Sequence, residues 1–424
     1  MTSVVEVESR EQASWLQRRP ASSRVRVALA GCGAVGSALL REFASRRDAL
    51  AERHGIEIVL TSVLVRDVTR RRDATFDAGL LTSDVETFLA SEADVVIEAI
   101  GGLDPARRIA ETVLGRGQPL VTANKFLLAS HGTELSALAR RTGATLRYDA
   151  AVGGGVPILR VLDESLGAGG PAKVRGILNG TANFVLTRIE TGASFNEALD
   201  EARVAGFAEA DASRDLDGRD AADKIALVAW AAFGVAPETL PIRRASLLPD
   251  PARFVHLAAR LGVRVRHVAE CALVAGEVVA SVEPVLVAAD SALARTRDEG
   301  NHAEVFTGWR APLCASGPGA GGVPTATALL SDLVSTSVTP RRRASAPIAE
   351  RDTRRFRWAI EICGAPALLH RAVPNCALVH TNDTATRSWT TIESATPYAV
   401  AVLLTALELA DALPIAARFD EDCT

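Results

Sequence analysis

Apolar positions along the chain fall into successive rhythms. Between residues 25 and 148, short β-rich runs alternate with stretches of helical period. Val25–Ala30, Ile56–Val65, Asp94–Ile100 and Pro119–Thr122 read as strands. Helices fit from after the glycines at 31–36 to about Arg47, from near Pro105, where proline suits a first turn, and over Thr133–Arg141. Strands alternating with helices at this spacing predict an α/β fold, a Rossmann-type doubly wound parallel sheet. Gly153–Pro157 breaks the pattern. Beyond it, Val174–Leu178 reads as a strand, residues 181–190, 196–205 and 218–233 as helices, and Val263–Val287 as β-rich. Antiparallel strands with helices on one side, an α+β domain, is the natural reading of that block. The glycines of 317–322 precede an apolar helix, Thr325–Val334.

A basic, proline-bounded stretch, Thr339–Pro347, reads as a linker. The tail then gives strand Phe356–Ile362, helix Pro366–Ala372, strands Ala377–Thr381 and Trp389–Glu393, helix Pro397–Asp411 and strand Ile415–Phe419. That order, βαββαβ, predicts a small ferredoxin-like domain. The expected organisation is a flexible extension at 1–23 and a dinucleotide-binding domain at 24–150 with 316–335. An α+β substrate and dimerisation domain at 151–315 follows, then a linker at 336–350 and the small domain at 351–424.

With 424 residues and 48% hydrophobic composition, the chain has material for several cores, and 4% aromatics leave the packing to Ala, Val and Leu. A net charge of −4 excludes an electrostatic footprint for nucleic acid or an anionic membrane. No uninterrupted apolar run is long enough to span a bilayer, and Glu6, Glu8, Arg10 and Glu11 speak against a secretory signal. The six cysteines are scattered, without Cys-x-x-Cys, and read as reduced thiols of a cytoplasmic protein. Of 47 basic residues only Lys125, Lys173 and Lys224 are lysines. Where arginine serves nearly every generic positive charge, a retained lysine is a candidate for giving up a proton, which a guanidinium does not do.

Gly31-x-Gly33-x-x-Gly36 follows a strand and opens a helix, the context a dinucleotide-binding loop requires. Gly31 permits the tight turn, Gly33 lets backbone approach a diphosphate, and Gly36 lets helix pack on strand. Free N–H groups at the helix start, with Ala34 and Val35 between the glycines, then hold the anion. After the second strand, Arg66 and the Arg70–Arg72 cluster favour a 2′-phosphate and so NADP, whereas Asp67 keeps NAD open.

The segment Gly206–Lys224 sets Glu209, Asp211, Asp215, Asp217, Asp220 and Asp223 around one lysine. Asp220 and Lys224 lie four apart and share a helix face. As an exposed ion pair they would contribute about 0.3–0.5 kcal/mol. The helix continues as the apolar run Ile225–Ala232, however, so Lys224 heads into a core, where burial favours the neutral amine and proton transfer.

Over roughly residues 25–335 the chain resembles the homoserine dehydrogenase family. Matching segments occur in the family's order: 31–36, Thr122–Lys125, Ala151–Ile158, Gly176–Asn183, Gly206–Glu209, Asp215–Gly218, Asp220–Lys224 and Gly319–Thr325. The resemblance implies NADP-dependent interconversion of homoserine and aspartate 4-semialdehyde, in threonine and methionine biosynthesis. It further implies Lys224, Lys125 and Asp220 as the catalytic group, with Lys224 as proton donor. Substrate contacts fall on Glu209, Asp215 and Asp220. The Asn179-Gly180-Thr181 turn is placed to present N–H groups to the substrate carboxylate. Cofactor contacts fall on the 31–36 loop, Arg66, Gly101, Lys125, Gly206, Gly319 and Gly321.

The resemblance also implies a monovalent cation such as sodium on backbone oxygens of Asp149, Val152, Gly154 and Val156, and a homodimer paired through the second domain. The tail resembles an ACT-type regulatory domain that binds threonine, with a degenerate turn at Gly364–Leu369. Two other readings stand beside this one: a reductase of a related amino-acid semialdehyde, and a cofactor-binding regulatory protein without chemistry. An acyl-forming dehydrogenase needs a nucleophilic cysteine with a histidine partner, and neither Cys32 nor Cys314 has one by sequence.

Overall fold

The computed structural model describes residues 23–72, 76–165, 170–308, 311–337, 352–363, 379–381, 387–408 and 414–420, which form two compact units. Residues 1–22, most of the 336–350 linker, the tail helix at 366–372 and the turn at Gly364–Leu369 lie outside the described residues.

The first unit runs to Asn124 and adds Glu134–Tyr148 and the described residues from Thr325. Its strands are β1 (Ser23–Ala30), β2 (Ile56–Leu64), β3 (Leu81–Thr82), β4 (Val95–Glu98), β5 (Leu120–Thr122) and β6 (Leu146–Arg147). They pair in parallel in the order β3-β2-β1-β4-β5-β6. In β1, Val27–Ala30 are at most 1% exposed, as expected of a central strand covered on both faces. Helices α1 (Ala34–Ser45), α2 (Arg47–His54), α3 (Val85–Leu89) and α4 (Ala106–Gly115) complete the doubly wound pattern. The strand order reverses between β1 and β4, and Gly31 and Gly101 follow just past those two strands. That switch point is where such folds bind ligands.

The next helix corrects the sequence reading. Expected at Thr133–Arg141, α5 spans Lys125–Thr142. Leu127, Leu128 and Leu135 are all at most 1% exposed and form one buried helical stripe. Lys125 therefore sits in a first helical turn.

The second unit takes Lys125–Thr133, Asp149–Pro324 and the C-terminal part. Helices α6 (Ile158–Ser165), α7 (Gly180–Glu190), α8 (Phe195–Val204), α9 (Ser213–Leu216), α10 (Arg219–Phe233), α11 (Pro251–Arg260) and α12 (Ala292–Arg295) fall within it. The last long helix before the linker, α13 (Gly322–Val334), begins here and ends in the first unit. Strands β7 (Lys173–Ile177), β8 (Ile242–Arg244), β9 (Arg264–Val274), β10 (Glu277–Val287), β11 (Gly300–Phe306) and β12 (Leu313–Pro318) form most of its sheet. The longest pair, β9 and β10, is closed by Ala275 and Gly276, both at positive φ (52° and 87°), the backbone of a two-residue type I′ hairpin.

The tail elements are β13 (Phe356–Cys363), β14 (Val379–Thr381), β15 (Arg387–Ala395), α14 (Pro397–Glu408) and β16 (Ile415–Phe419). Their strands pair in the order β16-β13-β15-β14, and β16 also pairs in parallel with β10. The tail thus extends the substrate-side sheet to ten strands. Ala359, Ala417 and Phe419 share a core with Val185, Leu186 and Phe254. Buried charges reinforce the join: Arg418 reaches Glu283 at 2.7 Å and Glu270 at 3.2 Å, and Arg175 pairs with Asp420.

Candidate active site

In the first unit, the 31–36 loop has the geometry its glycines predict. Gly31 has φ +101°, and a Cβ there would lie 2.5 Å from the Ala99 carbonyl oxygen. A Cβ on Gly36 would lie 2.0 Å from the Gly31 carbonyl oxygen, so larger residues are excluded at both. Gly33 instead faces open space, caps α1 without a side chain, and leaves the first N–H groups of the helix to a diphosphate.

At the end of β2 the two candidates for cofactor choice differ. Asp67 already accepts hydrogen bonds from the Thr69 hydroxyl (2.7 Å) and amide (2.8 Å), which hold its carboxyl below the usual range. Arg66 is exposed and engages none of the described residues.

One group was missed by sequence reasoning. Glu98, at the end of β4, is fully buried and accepts from the Thr122 hydroxyl (2.5 Å) and the Ile100 amide (2.8 Å). Burial raises its carboxyl despite these bonds. The Asn124 amide donates to the Gly102 carbonyl at 2.6 Å, so Thr122 and Asn124 shape the loop backbone around Gly101. The only available signal was an acid ending an apolar strand before two glycines.

The second unit gathers most of the remaining candidates. The Asp220 carboxylate takes the Lys125 ammonium at 2.6 Å on one oxygen and the Lys224 ammonium at 2.8 Å on the other. The Asn179 amide donates to Asp220 at 2.8 Å and to Asp215 at 2.7 Å, while its oxygen caps α7 by accepting from Ala182. The Lys224 ammonium also donates to the Leu178 carbonyl at 2.8 Å. Asp220 and Lys224 are 8% and 9% exposed. Burial alone would raise the Asp220 carboxyl, but the Lys224 and Lys125 ammoniums hold it well below the usual carboxylate range. Burial pushes Asp215 up, with the Asp220 charge acting in the same direction against the Asn179 hydrogen bond. The site therefore holds one firmly ionised carboxylate and one that takes a proton more readily.

Local packing explains this convergence. Gly218 starts α10 at φ +82°, where a Cβ would lie 3.0 Å from Val282 and 3.1 Å from His267, so the helix start rests directly on β9 and β10. On α5, a Cβ at Gly132 would lie 3.0 Å from the Trp230 ring, so α5 approaches α10 closely two turns beyond Lys125. The loop before α9 is held by Thr181, whose hydroxyl donates to the Phe207 carbonyl at 2.6 Å. Asn179 and Thr181 thus join the cluster and its loop through their side chains, and Gly180 is packed against the Glu299 backbone. Gly206 lies exposed at φ +79°. Glu209 is not brought to the cluster. It is exposed on this loop and pairs with none of the described residues.

The proposed cation loop is tightly wound. The Asp149 carbonyl accepts from Val152 (3.1 Å) and Gly153 (3.3 Å), the Val156 carbonyl accepts from Ile158 (2.8 Å), and Gly154 adopts φ +58° against the Gly319 carbonyl. The Asp149 carboxylate is turned to the Leu159 amide, 3.0 Å away. A set of neutral carbonyls suits a monovalent rather than a divalent cation. Gly321 has φ +112°, again open to glycine alone.

A doubly wound dinucleotide-binding sheet, followed by a buried lysine–carboxylate cluster, defines an NAD(P)-dependent oxidoreductase. The comparisons with known proteins agree. The family model for homoserine dehydrogenase matches residues 157–334, and that for the homoserine dehydrogenase NAD-binding domain matches 31–149. The homoserine dehydrogenase of Bacillus subtilis is 35% identical over 314 residues, 73% of this chain and 72% of that protein. The crystal structure of a homoserine dehydrogenase from Thiobacillus denitrificans has a TM-score of 0.83 at 27% identity, covering 95% of this chain and 99% of that one. A hyperthermophilic archaeal homoserine dehydrogenase in complex with NADPH shares the fold, with TM-score 0.59 at 24% identity over 76% of this chain and all of that one. The chain belongs to the homoserine dehydrogenase family.

Proposed function

We propose that the protein interconverts L-homoserine and L-aspartate 4-semialdehyde with NADP preferred over NAD, and that Lys224 is the proton donor. The observation that carries this reading is the double engagement of the buried Asp220, which holds the buried Lys224 ammonium and the half-buried Lys125 ammonium side by side. Bound NADPH supplies the hydride. As the aldehyde oxygen becomes an alkoxide, the Lys224 ammonium gives it a proton and is left as the neutral amine. Asp220 orients both lysines, and Lys125 stabilises the developing negative charge. Asp215, with Asn179 beside it, recognises the substrate ammonium, and Glu209, exposed on the loop after α8, shares that role. Gly31–Gly36, Gly101, Gly206, Gly319 and Gly321 contact the dinucleotide. Arg66 takes the 2′-phosphate, a reading supported by its guanidinium, which engages none of the described residues, and by the prior engagement of Asp67 with Thr69.

The same reading gives the cytoplasm as location, in keeping with free thiols at Cys32, Cys271, Cys314 and Cys363, and a homodimer as the working state. No helix among the described residues is long and apolar enough to cross a membrane. Sodium is the ion for the carbonyls of Asp149, Val152, Gly154 and Val156. The tail is an ACT-like module whose effector is threonine, a reading supported by its ferredoxin-like strand order. Oxidation of NADPH and NADH by the purified protein with aspartate 4-semialdehyde tests the central assignment. Turnover with NADPH exceeding that with NADH is expected, and turnover with neither removes it.

A further inference from the structure

On the substrate-side sheet a second chemical cluster lies outside the lysine–carboxylate group. In the antiparallel pair β11–β12, Glu304 stands opposite Cys314, and His302 stands opposite Ser316. Residues two apart on a strand share a face, so all four side chains project together. One nitrogen of His302, one carboxylate oxygen of Glu304 and the Cys314 sulfur lie within 4.8 Å of one another. His302 Nε2 is 3.3 Å from Glu304 Oε1, a separation suited to two ligands of one tetrahedral ion.

We propose that His302, Glu304 and Cys314 form a binding site for one thiophilic divalent cation of the zinc type. The surrounding groups orient the ligands as outer-sphere partners do. Ser316 Oγ lies 2.6 Å from His302 Nδ1 and fixes the ring with Nε2 towards Glu304. Arg175 Nε donates to the other oxygen of Glu304 at 2.6 Å, leaving Oε1 to face the histidine. The Arg175 charge does not repel the ion strongly, because Asp420 is bonded to the same guanidinium. One arginine, two carboxylates and a metal-bound thiolate sum to a net negative site. A thiolate, an imidazole and a carboxylate together select zinc-like ions over magnesium or calcium. Histidine and glutamate are buried whereas Cys314 is exposed on the edge strand, which supplies an entry path and an open fourth position for water. The ion would tie β12 to β11 immediately before the Gly319–Gly321 turn. Nothing in this site takes part in the proposed proton transfer.

Cobalt(II) tests the proposal on the reduced, chelator-treated full-length protein, because a thiolate ligand gives a sulfur-to-cobalt charge-transfer band. Wild type is expected to show that band, saturating at one ion per chain and displaced by zinc. Cys314→Ser is expected to abolish it. His302→Ala is expected to weaken cobalt binding at least about tenfold, and Ser316→Ala by about 10-fold through loss of ring orientation. Retained NADPH-dependent turnover in each variant confirms that it is folded. Absence of the band in folded wild type, its persistence in Cys314→Ser, or less than tenfold weakening in His302→Ala overturns the site.

Discussion

Replacing Asp220 by asparagine keeps the shape of the side chain but removes the charge shared by the buried Lys224 ammonium and the half-buried Lys125 ammonium. The carboxylate accepts from Lys125 at 2.6 Å, Lys224 at 2.8 Å and Asn179 at 2.8 Å. Asparagine offers one acceptor oxygen and turns an N–H group towards donors on its other side. At least one charge-assisted hydrogen bond is lost, about 1.5–3 kcal/mol, and the ammoniums are left without their counter-charge. Breaking a buried ion pair by removing one partner costs about 3–5 kcal/mol, and two lysines depend on this carboxylate. The expected result is a loss of about 3–5 kcal/mol in urea unfolding with unchanged m-value, together with a large loss of turnover. NADPH affinity, assigned under the proposed function to the 31–36 loop and Arg66, should change little. A stability loss below about 1 kcal/mol, the scale of an exposed pair, would refute the reasoning.

Three further outcomes follow from other parts of the molecule. Arg66→Ala should weaken NADPH binding about 10- to 100-fold and leave NADH nearly unaffected, as removal of one charge-assisted phosphate contact predicts; equal weakening of both would assign the 2′-phosphate elsewhere. His267, buried beneath Gly218 with its ring bonded to the Ala245 carbonyl at 2.9 Å, is lowered from 6.5 to about 4 by burial. The unfolded chain therefore binds the extra proton first, so this contribution is complete above pH 6.5 and declines as pH falls towards 4, by about 3 kcal/mol in all. His267→Gln should flatten the stability-versus-pH curve in that window, and an unchanged slope would contradict the assignment. Arg418→Ala removes one of the arginine partners of both Glu283 and Glu270, so hydrogen exchange should accelerate in β9 and β10 as well as in the tail; acceleration confined to the tail would mean that the two parts open independently.

The phosphate loop and the Asp220–Lys224 pair were legible because both are local: glycine spacing after a strand, and a four-residue step on a helix. The meeting of Lys125 with Asp220, far apart along the chain, left no local trace and entered only through family resemblance. Leu178 holds Lys224 through a backbone carbonyl, to which residue identity gives no clue. Alternation in Arg264–Glu270 looks like a strand with one solvated face. Yet Arg266, His267 and Glu270 are at most 4% exposed, because Arg266 finds Glu190 and Glu270 finds Arg354 and Arg418. Polarity in a strand marks solvent only when no distant charge arrives to match it. For the same reason the tail reads as a domain of its own, although β16 lies beside β10.

The most direct measurement is single-turnover reduction of aspartate 4-semialdehyde by Lys224→Ala, with the NADPH dissociation constant determined in parallel. Loss of a general acid predicts a fall of about 10²- to 10⁴-fold in the chemical step with NADPH affinity within a few-fold of wild type. A chemical step within tenfold of wild type, or a parallel collapse of NADPH binding, would contradict the assignment of Lys224 as the proton donor.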